Sequence, residues 1–280
     1  MRVKIWGARG SIPVPGADFA RFGGNTSCVQ VTGPDGTEMI LDAGSGIRGL
    51  GLALAGHCRS VHVLLTHLHL DHIQGLMFFA PLFDPAVEVT IWGPTSIQRP
   101  LRDRLARYLS NPLSPIEIRD LPARVRFADP ATPSLRLGAI EVEAAWVSHR
   151  GPTLGYRLTS DAASVCYLPD HEPGLGEDLE TADVSWISGH TLAQGASLLI
   201  HDCQYEDGEY RQRQGWGHSS ISDAMSFARR ADCQCSLMFH HDPGHDDAYL
   251  DGLAERVAAE WRGAGAVGLA REGQVIEFPA

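Results

Sequence analysis

The strongest constraint on the fold is a dense cluster of metal-binding side chains in residues 66–75, THLHLDHIQG. Three histidines and an aspartate fall within six positions of this segment. The cluster directly follows 61–66, VHVLLT, an apolar stretch of the kind that forms a buried strand. Leucines alternate with the polar residues, so one face of the segment is polar and the other is apolar. The candidate ligands here are His67, His69, Asp71 and His72.

Two interpretations of this cluster are open, an exposed polar turn and a metal site. Turns favour Gly, Asn, Asp and Pro rather than several histidines. Neutral imidazole and carboxylate groups are ligands that suit zinc, manganese and iron. Four such groups beside a core would be costly to leave unpaired, and a metal ion satisfies them together. The segment therefore favours a metal site.

Three further polar residues stand at the ends of other apolar stretches. His149 follows 140–147, Asp170 follows 164–168, and His240 ends 236–240. Any one of them alone would more often be structural. Together with the first cluster they form a series of metal-capable groups at strand ends, and this series predicts more than one metal ion.

Short apolar stretches bounded by turn residues recur along the whole chain and predict a protein with many strands. The predicted strands are 2–6, 28–32, 38–42, 61–66, 87–92, 140–147, 164–168, 197–202, 236–240 and 274–278. Helical spacing of apolar residues predicts helices over 97–109, 219–231 and 247–262. No repeat or linker divides the chain, so we predict one domain over 1–280, with two packed sheets and helices outside.

The composition limits the substrate and the location. With 34 acidic and 23 basic residues, the net charge of −11 opposes binding along a long nucleic acid, although it permits a small phosphorylated substrate at a metal centre. No apolar run approaches the ~20 residues of a membrane helix. The N-terminal segment lacks the apolar core of a signal peptide. We therefore expect a cytoplasmic protein without a membrane partner.

The motifs resemble those of the metallo-β-lactamase superfamily, because HLHLDH matches its H-x-H-x-D-H signature. The resemblance implies an α/β fold, the αββα sandwich of two mixed β-sheets flanked by helices, with two divalent metal ions in the cleft where the sheet ends meet. Zinc is favoured, and manganese or iron is compatible. By position, one ion would take His67, His69 and His149, the other Asp71, His72 and His240, and Asp170 with a water or hydroxide would bridge them.

Further motifs resemble the tRNase Z and cyclic phosphodiesterase branch of this superfamily. LLIHD, which ends at Asp202, precedes GWGHSS, which contains His218. The resemblance implies that these two residues form a proton-donating pair, with Asp202 where the branch motif has glutamate. His149 and Asp170 are only 21 positions apart, which leaves no room for the long tRNA-gripping arm we would expect between them. The closer resemblance is thus to phosphodiesterases of small substrates.

We therefore predict a dinuclear metal-dependent hydrolase that opens a small or cyclic nucleotide phosphodiester through a metal-bridging hydroxide. Asp71, Asp202 and His218 are the predicted catalytic residues. The alternatives are a tRNase Z-like endoribonuclease, a lactam, lactone or thioester hydrolase, a di-iron redox enzyme, and a non-catalytic metal sensor. We expect a small-molecule phosphodiester as partner and no stable nucleic-acid partner, and a homodimer is left open.

Two groups of residues receive no single role from the sequence. Arginines on or near 97–109 either form a solvated helix face or supply one side chain that reaches a substrate phosphate. They are Arg99, Arg102, Arg104 and Arg107. A second group lies near the ligands and either shapes the pocket or supports the ligands. It consists of His171, His241, Asp242 and His245.

Overall fold

The computed structural model describes residues 1–130 and 134–279, and within them fourteen strands form two seven-stranded sheets. The first sheet has the order β14-β1-β2-β3-β4-β5-β6. Its strands are β1 Arg2–Gly7, β2 Cys28–Thr32, β3 Glu38–Leu41, β4 Ser60–Leu64, β5 Glu88–Trp92, β6 Arg124–Ala128 and β14 Val275–Glu277. The second sheet has the order β13-β12-β11-β10-β9-β8-β7. Its strands are β7 Ser134–Leu137, β8 Ile140–Trp146, β9 Leu154–Thr159, β10 Ser164–Leu168, β11 Leu198–Asp202, β12 Cys235–Phe239 and β13 Ala266–Leu269.

Each sheet is half antiparallel and half parallel. In the first, β14 to β3 pair antiparallel and β3 to β6 pair parallel. In the second, β7 to β10 pair antiparallel and β10 to β13 pair parallel. Parallel strands end on the same edge, so each sheet brings several strand ends to one place.

The described part of the chain contains seven α-helices. They are α1 Ile47–Leu54, α2 Leu70–Ile73, α3 Leu101–Leu105, α4 His190–Ala193, α5 Asp207–Arg213, α6 Ile221–Arg230 and α7 Asp247–Glu260. The two longest begin at capped residues, because Ser220 accepts a hydrogen bond from Asp223 N at 3.0 Å and Asp246 accepts one from Tyr249 N at 2.8 Å. None of the described helices combines the length and the apolarity needed to cross a bilayer.

The main core lies between the two sheets. Side chains such as Val29 and Leu41 from the first sheet meet Val165 and Phe239 from the second, and all are buried. Smaller apolar clusters lie on the outer faces, under the helices. These layers confirm the predicted αββα sandwich of two mixed sheets flanked by helices.

One predicted helix was wrong in its extent, and several elements were missed. The helix predicted over 97–109 is reduced to α3, because Pro100 disfavours helical backbone just before it and Ile97 is exposed. The other predicted elements occur with ends shifted by at most two residues. The missed elements are β6, β7, β9, β13, α1, α2, α4 and α5.

Candidate metal centre

Strand ends from both sheets meet at the candidate site. The segment 67–72 follows β4 of the first sheet, while His149, Asp170 and His240 follow β8, β10 and β12 of the second. The cleft between the sheets thus collects all seven side chains that the sequence predicted as ligands. The grouping follows from topology, since the parallel strands of each sheet end at this edge.

A first group of four residues converges on one point. One ligand atom from each of them lies within 4.8 Å of those of the others. The group consists of His67, His69, His149 and Asp170. His149 Nε2 is 3.3 Å from His69 Nδ1 and 3.6 Å from Asp170 Oδ2, and His67 Nε2 is 3.7 Å from the same carboxylate oxygen. Three imidazoles and a carboxylate suit a divalent transition metal.

A second group shares Asp170 with the first and is wholly buried. It consists of Asp71, His72, Asp170 and His240. Asp170 Oδ1 lies 2.9 Å from His72 Nε2 and 3.3 Å from His240 Nε2. The other oxygen of Asp170 contacts the first group, so this carboxylate stands between the two groups. Such a placement suits a residue that bridges two cations.

Unsatisfied polar atoms test whether the site fits metal ions. Among the described residues, His67 Nε2, His72 Nε2 and Asp170 Oδ1 are buried and make no hydrogen bond of suitable geometry, although the last two are 2.9 Å apart. Each buried unsatisfied polar group costs roughly 1–3 kcal/mol. Cations placed among these atoms would remove that cost, so the residues present fit a metal centre.

The ionisation of these groups also suits cations. Burial lowers the pKa of His67, His69 and His149, so their imidazoles are neutral and offer lone pairs at neutral pH. Burial alone would favour the protonated form of Asp170. The adjacent His240 and His72 outweigh burial and hold the Asp170 pKa well below its usual range. The first group therefore presents neutral nitrogens beside an ionised carboxylate. In the second group, burial opposes protonation of His72, but Asp170 and Asp71 outweigh it and raise the pKa of His72 well above its usual range, so a cation bound there would replace that proton.

Asp42 supports the second group, although the sequence prediction did not include it. This fully buried carboxylate accepts hydrogen bonds from His72 Nδ1 at 2.8 Å, from Thr66 N at 2.7 Å and from Tyr167 at 3.1 Å. The contact with Nδ1 directs Nε2 of His72 toward Asp170. Its position in the sequence was a usable signal, because Asp42 is a polar residue directly after strand β3, as the ligands are after theirs.

Contacts from outside the two groups also hold other predicted ligands. His240 Nδ1 bonds to Gln204 Oε1 at 3.1 Å, and His149 Nδ1 donates to Gly217 O at 2.6 Å. The backbone N–H of Ser11 donates to Asp71 Oδ2 at 2.9 Å. These contacts come from loops far away in the sequence, and no sequence pattern indicated them.

The predicted proton-donating pair lies beside the two groups. His218 Nδ1 is 2.6 Å from Asp202 Oδ2, and its ring stacks on His240 with centroids 5.0 Å apart. Asp202 is fully buried and also accepts the N–H groups of Gln204 and Ser219. Burial opposes protonation of His218, but Asp202 outweighs it and raises the pKa of His218 to about 9. In the absence of bound cations the imidazole is therefore protonated at neutral pH, with Nε2 left to donate.

A buried glutamate shapes the loop before His218. Glu172 accepts hydrogen bonds from Gly215 N and Gly217 N, both at 2.7 Å, and from Tyr210 at 2.8 Å. The same loop supplies the carbonyl of Gly217 that holds His149. Glu172 therefore links the first ligand group to the loop that carries His218, a role that the sequence did not reveal.

The four residues without a predicted role lie outside the two groups. His171 Nδ1 contacts His201 Nε2 at 2.9 Å in a buried pair, and His241 Nε2 donates to Ala270 O at 2.8 Å. The carbonyls of Asp242 and His245 accept hydrogen bonds from the Arg9 guanidinium. These contacts join loops around the site and place none of the four among the grouped ligand atoms.

Comparison with known proteins agrees with the fold. The model of the beta-lactamase superfamily domain matches residues 37–241. A ribonuclease Z of Kineococcus radiotolerans is 25% identical over 283 residues, covering 88% of this chain and 87% of that protein. Zn(2+)-bound PqqB from Methylobacterium extorquens superposes with a TM-score of 0.72 at 17% identity, over 99% of this chain and 100% of that one. The short form of human tRNase Z gives 0.68 at 21% identity over 100% of both chains.

Proposed function

Because the chain belongs to the beta-lactamase superfamily, whose domain model covers residues 37–241, it is a metal-dependent hydrolase of this fold, and we propose that it cleaves small phosphodiesters with two metal ions. The observation that carries the proposal is the hydrogen bond between His218 and Asp202 beside the two ligand groups. A protonated histidine is useful where the leaving group is a poor one, as an alkoxide is.

The two ligand groups support a proposal for the residues that would hold the metals. His67, His69 and His149 would hold one ion, and Asp71, His72 and His240 would hold the other, with Asp170 between them. Two bound divalent cations would polarise the phosphoryl oxygens and lower the pKa of a bound water. Nitrogen and carboxylate ligands favour zinc, as in the zinc-bound structural relative, and also accept manganese or iron.

The chain's own residues supply the remaining chemistry. His218 would donate the proton from Nε2 to the oxygen that leaves phosphorus, while Asp202 holds Nδ1 and stabilises the charged imidazole. Asp71 holds its position through Ser11 N and His240. General-acid assistance of this kind typically contributes ~10²–10⁴-fold to the rate.

Cleavage of RNA is the second candidate function, because curated relatives that cover most of the chain carry the name ribonuclease Z. Two observations favour a smaller substrate. Between His149 and Asp170 the chain contains only the antiparallel pair β9 and β10, joined by residues 160–163. The net charge of −11 also opposes a long polyanion.

A colorimetric comparison tests the proposal. Bis-p-nitrophenyl phosphate should be hydrolysed, chelator should abolish the activity, and zinc or manganese should restore it, whereas the lactam nitrocefin should react slowly or not at all. Preference for nitrocefin would overturn the phosphodiesterase assignment. A precursor tRNA, assayed in parallel, should be a poorer substrate than the small diester, and efficient cleavage of it would favour the second candidate.

A further inference from the structure

A small cavity opens directly beside the first ligand group. It has a volume of about 150 Å³ and shares His67 and His69 with the metal centre. Its other lining residues are Leu68, Pro94, Arg104, Arg150, Gly151 and Pro152. A water molecule takes about 30 Å³ of liquid volume, so the cavity has room for a group as large as a phosphate.

Arg104 enters this cavity from α3. It is the half-buried member of the arginine group on this segment, whereas Arg99, Arg102 and Arg107 are exposed. Its Nη2 donates to the carbonyl of Pro94, which anchors the guanidinium. Its Nε is buried and makes no hydrogen bond with any described residue. Arg104 thus brings to the cavity wall a guanidinium that is anchored at Nη2 and leaves part of its hydrogen-bonding capacity unused, which favours an anionic ligand from outside the chain.

Arg150 lines the same cavity. It follows His149 directly, its Nε donates to Gly215 O at 3.0 Å, and its guanidinium lies 5.9 Å from the ring centroid of Trp216. These two contacts restrict the side chain before any ligand arrives. A restrained guanidinium loses less conformational freedom when it binds an anion.

The charge of the cavity contrasts with that of the protein. The chain carries a net charge of −11, yet the lining residues include two arginines and no carboxylate. A local pair of cations outweighs the net field at short range. Guanidinium groups match phosphate oxygens in geometry and charge, so the cavity favours a phosphate over a neutral group.

We propose that Arg104 and Arg150 form an anion subsite, which binds a second phosphate of the substrate next to the one that is cleaved. This inference rests on the proposed function and makes its substrate class more specific. The preferred substrates are phosphodiesters that carry a further phosphate within about one nucleoside of the scissile bond. A cyclic mononucleotide with a single phosphate leaves the subsite without its ligand and is a weaker substrate.

Paired chromogenic nucleotides test the subsite. Thymidine 5′-(p-nitrophenyl phosphate) is compared with its 3′-phosphorylated form, and thymidine 3′-(p-nitrophenyl phosphate) with its 5′-phosphorylated form. In one of the two pairs, the one whose additional phosphate reaches the arginines, that phosphate should raise kcat/KM by roughly ten- to a hundredfold, as expected for hydrogen bonds to a charged group. Thymidine 3′,5′-bisphosphate should also inhibit more strongly than thymidine 5′-monophosphate, which gives a readout of binding alone.

Variants separate the subsite from the metal centre. Two ratios report the subsite: kcat/KM with the additional phosphate over kcat/KM without it, and inhibition by the bisphosphate over inhibition by the monophosphate. Arg150→Gln and Arg104→Gln should reduce both ratios toward one. The exposed Arg107→Gln should leave them unchanged. Metal content and thermal unfolding identify any variant that has lost its fold, and Arg150→Gln is the safer change because Arg150 is exposed. Ratios near one in the unmodified protein would overturn the subsite while diester hydrolysis still stands. No hydrolysis of any diester would instead overturn the proposed function.

Discussion

His218 shows how one hydrogen bond determines the task of a side chain. Its Nδ1 forms a hydrogen bond of 2.6 Å with Asp202 Oδ2, so the proton available for transfer is the one on Nε2. Because His218 lies beside the ligand groups without being one of the seven predicted ligands, its removal should change the chemistry and leave the metals in place. Loss of a general acid matters only when the leaving group needs a proton.

We expect His218→Ala to slow a nucleotide diester with an alkoxide leaving group by ~10²–10⁴-fold. The same variant should slow bis-p-nitrophenyl phosphate far less, because p-nitrophenolate departs without a proton. The measurement is kcat/KM on both substrates, with metal content determined in parallel. Asp202→Asn should show the same pattern more weakly. Equal losses on the two substrates would mean that His218 binds substrate, and loss of metal would mean that it is a ligand.

In the proposed metal site, Asp42 acts through the predicted ligand His72. Replacing it with asparagine puts an amide in place of the carboxylate that accepts from His72 Nδ1, Thr66 and Tyr167. Loss of such an outer partner typically costs 10–100-fold in metal affinity or activity. Asp42→Asn should therefore weaken one of the two metal-binding steps in a zinc titration of the chelated protein. Asp161→Asn, at an exposed position, is the matched control, and equal titrations would contradict the assignment.

The residues at the site differ in how far the sequence could predict them. All seven grouped side chains were found because histidine and aspartate at the end of an apolar strand are unusual for a simple turn. Gln204 and Gly217 could not be found, since a glutamine or a backbone carbonyl carries no metal signal in a sequence. Their roles depend on which loops the fold brings together.

At the scale of elements, the loop 215–217 joins the predicted ligands to the proposed proton donor. Glu172 holds both glycine N–H groups, Gly217 O holds His149, and His218 follows directly. Glu172→Gln replaces one of the acceptor oxygens by an amide donor, so the loop should loosen. We expect kcat to fall by about 10–100-fold, with a weaker first metal site, because outer partners of ligands contribute on that scale.

The control for this loop variant is Glu177→Gln, which changes an exposed glutamate five positions later. Metal titrations and kcat should be the same for Glu177→Gln and the unmodified protein. A Glu172→Gln variant with unchanged kcat and unchanged metal affinity would show that the loop is held by other contacts. A variant that unfolds at lower temperature but keeps its kcat would restrict Glu172 to stability.

The predicted boundaries of strands and helices agree with the structure where the apolar pattern is continuous. Elements were missed where that pattern is interrupted. Strands β6 and β9 alternate apolar residues with polar ones such as Arg126 and Arg157, which is a weaker signal than the continuous apolar runs of the recognised strands. The helix predicted over 97–109 relied on apolar residues at helical spacing. One of them, Leu109, lies beyond the end of α3 and is buried without being helical. Such segments obtain their structure from the sheet beside them rather than from local periodicity.

At the scale of the whole molecule, the candidate metal centre takes its residues from both sheets. The segment 67–72 comes from the first sheet, and His149, Asp170 and His240 come from the second. Metals that bind the folded state stabilise it in proportion to the logarithm of their concentration over Kd. The ions should therefore stabilise the packing of one sheet on the other as well as supply chemistry.

Elemental analysis of protein purified without chelator should give two metal ions per chain. Chelation should lower the thermal unfolding temperature, and zinc or manganese should restore it. A ratio of at most one, unchanged after incubation with excess metal, would contradict two sites. The variant Asp170→Asn should lose most of the metal-dependent stabilisation, because this carboxylate belongs to both ligand groups.

Buried neutral histidines predict how the metal-free protein responds to acid. Burial lowers the pKa of His201 to about 4, whereas an unfolded histidine titrates near 6.5. Between these values the unfolded chain binds more protons than the folded one, so the free energy of unfolding falls as the pH falls through 6.5 toward 4. The slope contributed by His201 approaches ~1.4 kcal/mol per pH unit.

In chelated protein, His201→Gln should reduce the loss of stability between pH 7 and pH 5 by about 2 kcal/mol, measured by denaturant unfolding. The exposed His57→Gln should leave that difference unchanged, and an unaltered pH dependence in His201→Gln would show that other groups cause the acid sensitivity.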